Sequence, residues 1–233
     1  MTNQIRNPNE RSVFIRFILL IVASLASSAA CWWAAGDSLG LFFGGLFAVT
    51  FLTPAGVLAQ ENPWRAVGGW AAVVGPIAVV WILPVLKALD TPGQWMQAVL
   101  VLAAYSMAIG GIALVLARAG CPVIFAAATA VVLGLAWLTW PIWLSPILVR
   151  GGLGGVVQNL VKVNPPLTIN GILTNEPAWT ERSLAYHLTD LNQDVPIQLP
   201  ANARACAALH GILGLVLWSA AMVRRRKSAS RGF

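Results

Sequence analysis

The chain has 233 residues, of which 58% are apolar and 10% are charged, whereas about 25% of the residues of an ordinary soluble domain are charged. This shortage of charge, together with a mean hydropathy of +0.74, excludes a water-facing surface of normal size and indicates a membrane protein. The net charge of +7 does not indicate nucleic-acid binding. The basic residues flank apolar segments, and the one dense run, at 224–227, directly follows the last of them.

Six apolar segments are long enough to cross a lipid bilayer as helices, since about 20 residues at 1.5 Å each span the hydrocarbon core. The predicted spans are residues 14–35, 39–59, 66–86, 95–117, 122–140 and 203–223. We therefore expect an all-α, polytopic transmembrane helix bundle. The predicted divisions are a five-span region (1–148), an extracytoplasmic loop or cap (149–202), the sixth span (203–223) and a basic cytoplasmic tail (224–233).

The first segment has a second interpretation, because a basic and then apolar stretch precedes Ser28-Ala29-Ala30-Cys31, somewhat as in a lipoprotein signal peptide. Such cleavage sites usually carry Leu or Val where Ser28 stands, and the apolar run continues past Cys31, so a permanent span is favoured. Cys31 and Cys206 both fall near the predicted outer face, where a disulfide between them is geometrically possible. Buried free thiols are favoured, since the cysteines have no metal-ligand spacing.

The second segment carries small residues at four-residue spacing, Gly40, Gly44 and Ala48. On a helix this spacing places them on one face, where a neighbouring helix can approach closely. We therefore predict a helix-packing face on span two. In the third segment, Pro76 and Pro84 predict a kink, for which a packing adjustment is favoured over a gating role.

The loop at 149–202 is the one sizeable segment predicted to lie outside the membrane, with a helix over 177–192. Aromatic and charged residues interleave at its centre, as in interface hot spots. The candidate partner or substrate contacts are Trp179, Arg182, Tyr186 and His187. His187 could also act as a general base or a ligand. No nucleophile or metal ligand accompanies it at a recognisable spacing, so a solvated or interfacial histidine is favoured.

The placement of basic residues predicts the orientation in the membrane. With a cytoplasmic N-terminus, ten of the 15 Lys and Arg residues fall inside: Arg6, Arg11, Arg16, Arg65, Arg118, Arg224, Arg225, Arg226, Lys227 and Arg231. The other five fall outside: Lys87, Arg150, Lys162, Arg182 and Arg204. This bias predicts a multi-pass protein of the cell inner (plasma) membrane with both termini in the cytoplasm.

No Asp, Glu, Lys or Arg falls at mid-membrane depth in the predicted spans, which weighs against an ion-coupled carrier or a proton pump. His210 lies in the sixth span and is a further candidate contact. It could ligate a haem, but no other span supplies a histidine, so a packing histidine is favoured. The chain has no nucleotide-binding, metal or nucleophile motif, so we expect no cofactor, and an enzyme is disfavoured.

The six spans, the cytoplasmic ends, a helical excursion opened by Asn164-Pro165 between spans five and six, and the basic tail resemble the membrane subunits of type-2 ABC exporters. The resemblance is topological and covers most of the chain. It implies a dimeric permease powered by a separate ATPase subunit. The chain departs from the pattern in its short N-terminus and brief inner loops. The alternative is a non-catalytic accessory or scaffold subunit of a larger membrane complex, and either role implies a homo- or hetero-oligomer.

Overall fold

The computed structural model describes residues 8–35, 38–60, 62–87, 91–173 and 198–229. Every regular element in these ranges is a helix, and they contain no strand. The predicted all-α class is therefore confirmed. The helices are α1 Pro8–Ala35, α2 Ser38–Leu58, α3 Pro63–Val80, α4 Leu83–Leu86, α5 Pro92–Arg118, α6 Val123–Leu138, α7 Trp140–Trp143, α8 Ser145–Arg150, α9 Gly154–Val163, α10 Pro165–Ile172 and α11 Arg204–Ala229.

Four helical segments of the described chain are long and apolar enough to cross a membrane. They are Gly40–Leu58, Trp64–Leu86, Pro92–Arg118 and Arg204–Val223. Two further apolar helices, Ile15–Ala30 and Val123–Leu138, are shorter. Transmembrane-helix character is thus supported for four of the predicted spans, and the count of six stays a prediction.

Two of the long helices, α3 and α5, begin where the sequence combines a capping side chain with proline. At α5, Thr91 Oγ1 accepts from the Gln94 backbone N–H (3.3 Å), and Gln94 Oε1 accepts from the Thr91 N–H (2.8 Å). At α3, Asn62 Oδ1 accepts from the Trp64 N–H (3.0 Å). Proline follows each cap at the first helical position, where the missing N–H has no intrahelical partner to lose.

We name the two ends of the bundle after α5: the upper end, where α5 begins, and the lower end, where it finishes. α11 runs parallel to α5. Near the upper end the Ala203 N–H donates to Gln97 Oε1 (3.1 Å), and further down Trp218 Nε1 donates to the Met107 carbonyl (3.0 Å). The closely packed helices α5 and α11 therefore both descend, that is, run from the upper end to the lower end.

α3 runs in the opposite direction to α5. Near the upper end Trp95 Nε1 donates to the Ala78 carbonyl (3.2 Å), and lower down Trp70 Nε1 donates to Ser106 Oγ (2.8 Å). Short connections join α1 to α2, α2 to α3, and α5 to α6. Consequently α1, α3 and α6 ascend, whereas α2, α5 and α11 descend.

At the lower end, glycines allow the helices to touch. The backbones of Gly56 in α2 and Gly69 in α3 meet directly, so that a Cβ on Gly69 would overlap the Gly56 carbonyl oxygen. A Cβ on Gly111 of α5 would lie 2.8 Å from Leu217 Cβ of α11. Of the predicted packing face, Ala48 is buried, whereas Gly40 and Gly44 are half-buried. That face stays a prediction, since the closest approaches involve other glycines.

Candidate functional site

A segment predicted as an external loop runs partly through the interior. All eight residues of α10, Pro-Pro-Leu-Thr-Ile-Asn-Gly-Ile, are buried, and the helix packs against α2, α5 and α9. Its apolar side chains join the main core, including Ile169 and Ile172. Gly171 permits this docking, because a Cβ there would overlap the Pro200 carbonyl oxygen. Residues 164–173 are therefore part of the bundle.

The break between α9 and α10 follows from two prolines. Pro165 and Pro166 have no N–H, so the carbonyls of Val161 and Lys162 lose the partners that a continuous helix would supply. The Asn164 N–H donates to the Val161 carbonyl (3.4 Å). Thr168 Oγ1 donates to the Lys162 carbonyl (3.4 Å). The Asn164 backbone N–H and the Thr168 hydroxyl thus replace the missing backbone donors.

Cys206 and Asn164 provide hydrogen-bond partners for further backbone groups at the break. The Cys206 thiol donates to the carbonyl of Val163 (3.3 Å), and Asn164 Oδ1 caps α10 by accepting from the Leu167 N–H (3.2 Å). Cys206 is a free, buried thiol, as favoured from the sequence. An irregular backbone is tolerated inside a membrane protein where it lines a water-filled cavity, or where it is buried in protein that satisfies its polar groups. The surroundings of this break meet the second condition.

A chain of hydrogen bonds leads from the break to His210. Pro141 lacks the N–H that would bond the Trp137 carbonyl, and Asn164 Nδ2 donates to that carbonyl instead (2.9 Å). Trp137 Nε1 donates to His210 Nε2 (3.0 Å). Because an indole N–H can only donate, Nε2 carries no proton, and His210 Nδ1–H donates to the Cys206 carbonyl (2.8 Å).

Both ring nitrogens of His210 are therefore engaged within the protein, and neither is open to a metal or a haem iron. This is the geometry of a packing histidine. Below it, the Tyr105 ring meets the imidazole edge-on at a centroid separation of 5.7 Å. The Tyr105 hydroxyl hydrogen-bonds Thr50 Oγ1 (2.9 Å), whose own hydroxyl reaches the Leu46 carbonyl (2.7 Å). Neutral polar groups thus extend from the break to the middle of α2.

Glutamines fix the chain on both sides of residues 174–197. Before them, Gln94 Nε2 donates to the Ile172 carbonyl (2.9 Å). After them, Gln158 Nε2 donates to the Gln198 carbonyl (2.9 Å), and the Gln198 N–H donates to Gln158 Oε1 (3.3 Å). These bonds link α5 to the end of α10, and α9 to the segment that precedes α11.

The remaining predicted contacts fall outside the described residues: Trp179, Arg182, Tyr186, His187 and the helix over 177–192. Among the described residues, no group of three His, Cys, Asp or Glu could hold a metal ion. The buried polar side chains described are Ser, Thr, Asn, Gln and His, without an acid, lysine or arginine. The described interior therefore offers a ligand uncharged hydrogen-bonding groups.

The comparisons add no relative. No protein-family model, curated protein or solved structure matches the chain. The resemblance to type-2 ABC exporter subunits therefore stays a prediction from topology.

Sequence reasoning singled out Asn164-Pro165 and His210 but not the residues that connect them. The roles of Trp137 and of the Cys206 thiol at the break were not predicted. A signal for Trp137 existed, because a proline four residues downstream leaves a helix carbonyl without its donor and calls for a side-chain substitute. No comparable signal marks Cys206, because its pairing depends on how α11 packs beside α9.

Proposed function

We propose that this chain is a six-span protein of the cell inner (plasma) membrane, with both termini cytoplasmic, and that it serves as the permease subunit of a transport complex powered by a separate ATPase. The observation that carries the proposal is the buried helix break at Asn164. Broken helices inside a membrane bundle are either buried in protein or line a cavity, and discontinuous helices form the substrate sites of many transporters. The break therefore supports a transport role for the bundle's upper half.

The alternating helix directions support six spans. α1 begins and α11 finishes at the lower end, and Arg65 and Arg118 lie there as well, whereas Lys87 and Arg204 lie at the upper end. With the lower end in the cytoplasm, this distribution agrees with the tendency of Lys and Arg to stay inside. The two shorter apolar helices then supply the first and fifth spans.

The neutral interior supports an external source of energy. Proton- and ion-coupled carriers use intramembrane charged side chains, whereas the described buried residues include none. The sequence has no Walker motif or other nucleotide-binding pattern. Energy for transport would then come from a partner that hydrolyses ATP, bound at the lower end.

The partner is tested by purifying the full, tagged chain from its native membrane in a mild detergent and identifying bound proteins by mass spectrometry. We expect an ATPase in stoichiometric amount, and ATP hydrolysis by the complex that increases in lipid nanodiscs. Recovery of the chain without an ATPase overturns the permease proposal. A stoichiometric complex that lacks an ATPase would instead support the alternative, an accessory or scaffold subunit.

The topology is tested separately by labelling single cysteines in intact cells with a membrane-impermeant maleimide. Cysteine at Thr189 should react from outside, whereas cysteine at the exposed positions Trp64 or Ala119 should react only after the membrane is opened. Reaction of all three positions from the same side would refute six alternating spans. That result would not depend on whether an ATPase is found.

A further inference from the structure

Asn170 is a buried amide that the fold does not use. It lies on α10, near the end of the buried helix, and is 2% exposed. Neither Nδ2 nor Oδ1 has a hydrogen-bond partner. An asparagine amide offers two donors and a carbonyl oxygen with two lone pairs, and buried polar groups are nearly always bonded. An exception in the interior therefore needs a reason.

Asn164 shows that the same segment satisfies an amide where it is structural. Asn164 is fully buried, its Oδ1 accepts from the Leu167 N–H, and its Nδ2 donates to the Trp137 carbonyl. Thr168, also on α10, bonds the Lys162 carbonyl. Four other buried side-chain atoms of the described protein have no partner, and each is a single atom: Thr53 Oγ1, Gln60 Nε2, Trp81 Nε1 and Trp140 Nε1. Asn170 differs from these in that both groups of its amide, Nδ2 and Oδ1, are left without a partner.

The surroundings restrict what the amide can bind. The described buried residues contain no acid, lysine or arginine that could balance an ionic group. A neutral oxygen that both donates and accepts matches the two faces of the amide. Water molecules and the hydroxyl groups of polar lipids or solutes have this chemistry.

We propose that Asn170 forms the polar part of a buried binding site for a neutral hydroxyl group or water at the upper end of the bundle. The site requires only the helix break and the unpaired amide. It therefore stands whether or not an ATPase associates with the chain.

The test is solid-state NMR on the full chain, labelled with ¹⁵N-asparagine and reconstituted in phosphatidylethanolamine–phosphatidylglycerol vesicles. The variant Asn170→Leu assigns the side-chain Nδ2 signal by its loss, and Asn170→Ser does so if the leucine variant fails to fold. Magnetisation is transferred to Nδ2 from water protons in one arm and from lipid headgroup protons in the other. The exposed Asn159 and the protein-bonded Asn164 are internal references.

We expect Nδ2 of Asn170 to receive magnetisation severalfold faster than Nδ2 of Asn164, and at a rate close to that of Asn159. Fast transfer in the water arm identifies water as the occupant, and fast transfer in the headgroup arm identifies a lipid hydroxyl. Transfer as slow as that of Asn164 in both arms shows a dry amide and overturns the proposal.

Discussion

The two ends of the bundle are held together by different means. At the lower end, α2, α3, α5 and α11 are continuous helices that meet through glycines, with the Gly56 and Gly69 backbones in direct contact. At the upper end, the helices break at prolines, and side chains such as Asn164 and Gln94 bond to backbone groups of neighbouring elements. Close glycine contacts between long helices dominate the lower end, whereas the upper end combines one such contact, between Gly171 and the Pro200 carbonyl, with hydrogen bonds from side chains to irregular backbone.

The two ends show how an apolar bundle accommodates irregular backbone. A continuous helix satisfies its own N–H and C=O groups, so neighbouring helices need only fit closely. A broken helix leaves carbonyls that water cannot reach, so each must find a side chain. Added volume should therefore damage the lower end, whereas loss of polarity should damage the upper end.

The largest effect is expected for Gly69→Ala at the lower end. The added Cβ meets the Gly56 carbonyl oxygen, and both sides of this contact are backbone, which cannot rotate away. We expect the free energy of unfolding to fall by about 3 kcal/mol or more. It is measured by SDS titration in mixed micelles, followed by circular dichroism.

Gly75→Ala is the matched control for Gly69→Ala. Gly75 lies on the same helix, and a Cβ there would meet no atom within 4 Å. Alanine should leave stability unchanged or raise it by about 0.5 to 1 kcal/mol, because it favours the helix over the unfolded chain. Equal losses in the two variants would show that steric contact is not what holds the lower end.

The second-largest loss of stability is expected when Asn164, one of two buried asparagines at the upper end, is replaced. Asn164→Leu leaves the Leu167 N–H and the Trp137 carbonyl buried without partners, which should cost about 2 to 3 kcal/mol. Asn170→Leu removes an amide that has no partner within the described protein, so the change should be neutral or stabilising. Both are measured in the same SDS titration. A loss in Asn170→Leu as large as that in Asn164→Leu would contradict the assignment of Asn170 as unused by the fold.

The helical class and most helix positions could be predicted from the sequence, because length, apolar composition and proline placement act locally. The second, third, fourth and sixth predicted spans correspond to helices of sufficient length. The burial of α10 could not be predicted in the same way. Its eight residues are too few to span, and an apolar stretch of that length fits a surface helix as well as a buried one.

The candidate site was only partly predictable for a similar reason. Asn164 next to proline marks a helix start in any context. The role of His210 depends on Trp137, which is 73 residues away in the chain. Sequence spacing carries no information about such a pair, because it forms only when the folded bundle brings the Trp137 side chain of α6 to His210 of α11. The unpaired state of Asn170 is likewise a property of the packed bundle.

A third effect, of intermediate size, tests the link between α6 and α11. Trp137→Phe keeps an aromatic ring but removes the donor to His210 Nε2, leaving that buried nitrogen without a partner. We expect a loss of about 1 to 2 kcal/mol in the SDS titration. Trp143→Phe is the control, since Trp143 is exposed and donates to the Ala136 carbonyl of the preceding helix. If Trp143→Phe lowers the free energy of unfolding as much as Trp137→Phe does, the contribution of the Trp137–His210 hydrogen bond does not depend on its burial.

The smallest effect is expected for Gln158→Ala, which removes both hydrogen bonds to the Gln198 backbone. These groups are exposed, so water can replace the lost partner, and global stability should fall by less than about 1 kcal/mol. Amide hydrogen exchange should nevertheless accelerate at Gln198, because its N–H loses its acceptor. Gln97→Ala, which removes the acceptor of the Ala203 N–H, should accelerate exchange at Ala203 and leave Gln198 unchanged. Faster exchange at both positions in either variant would mean that this flank opens as one unit, and the glutamines would then hold the upper end cooperatively.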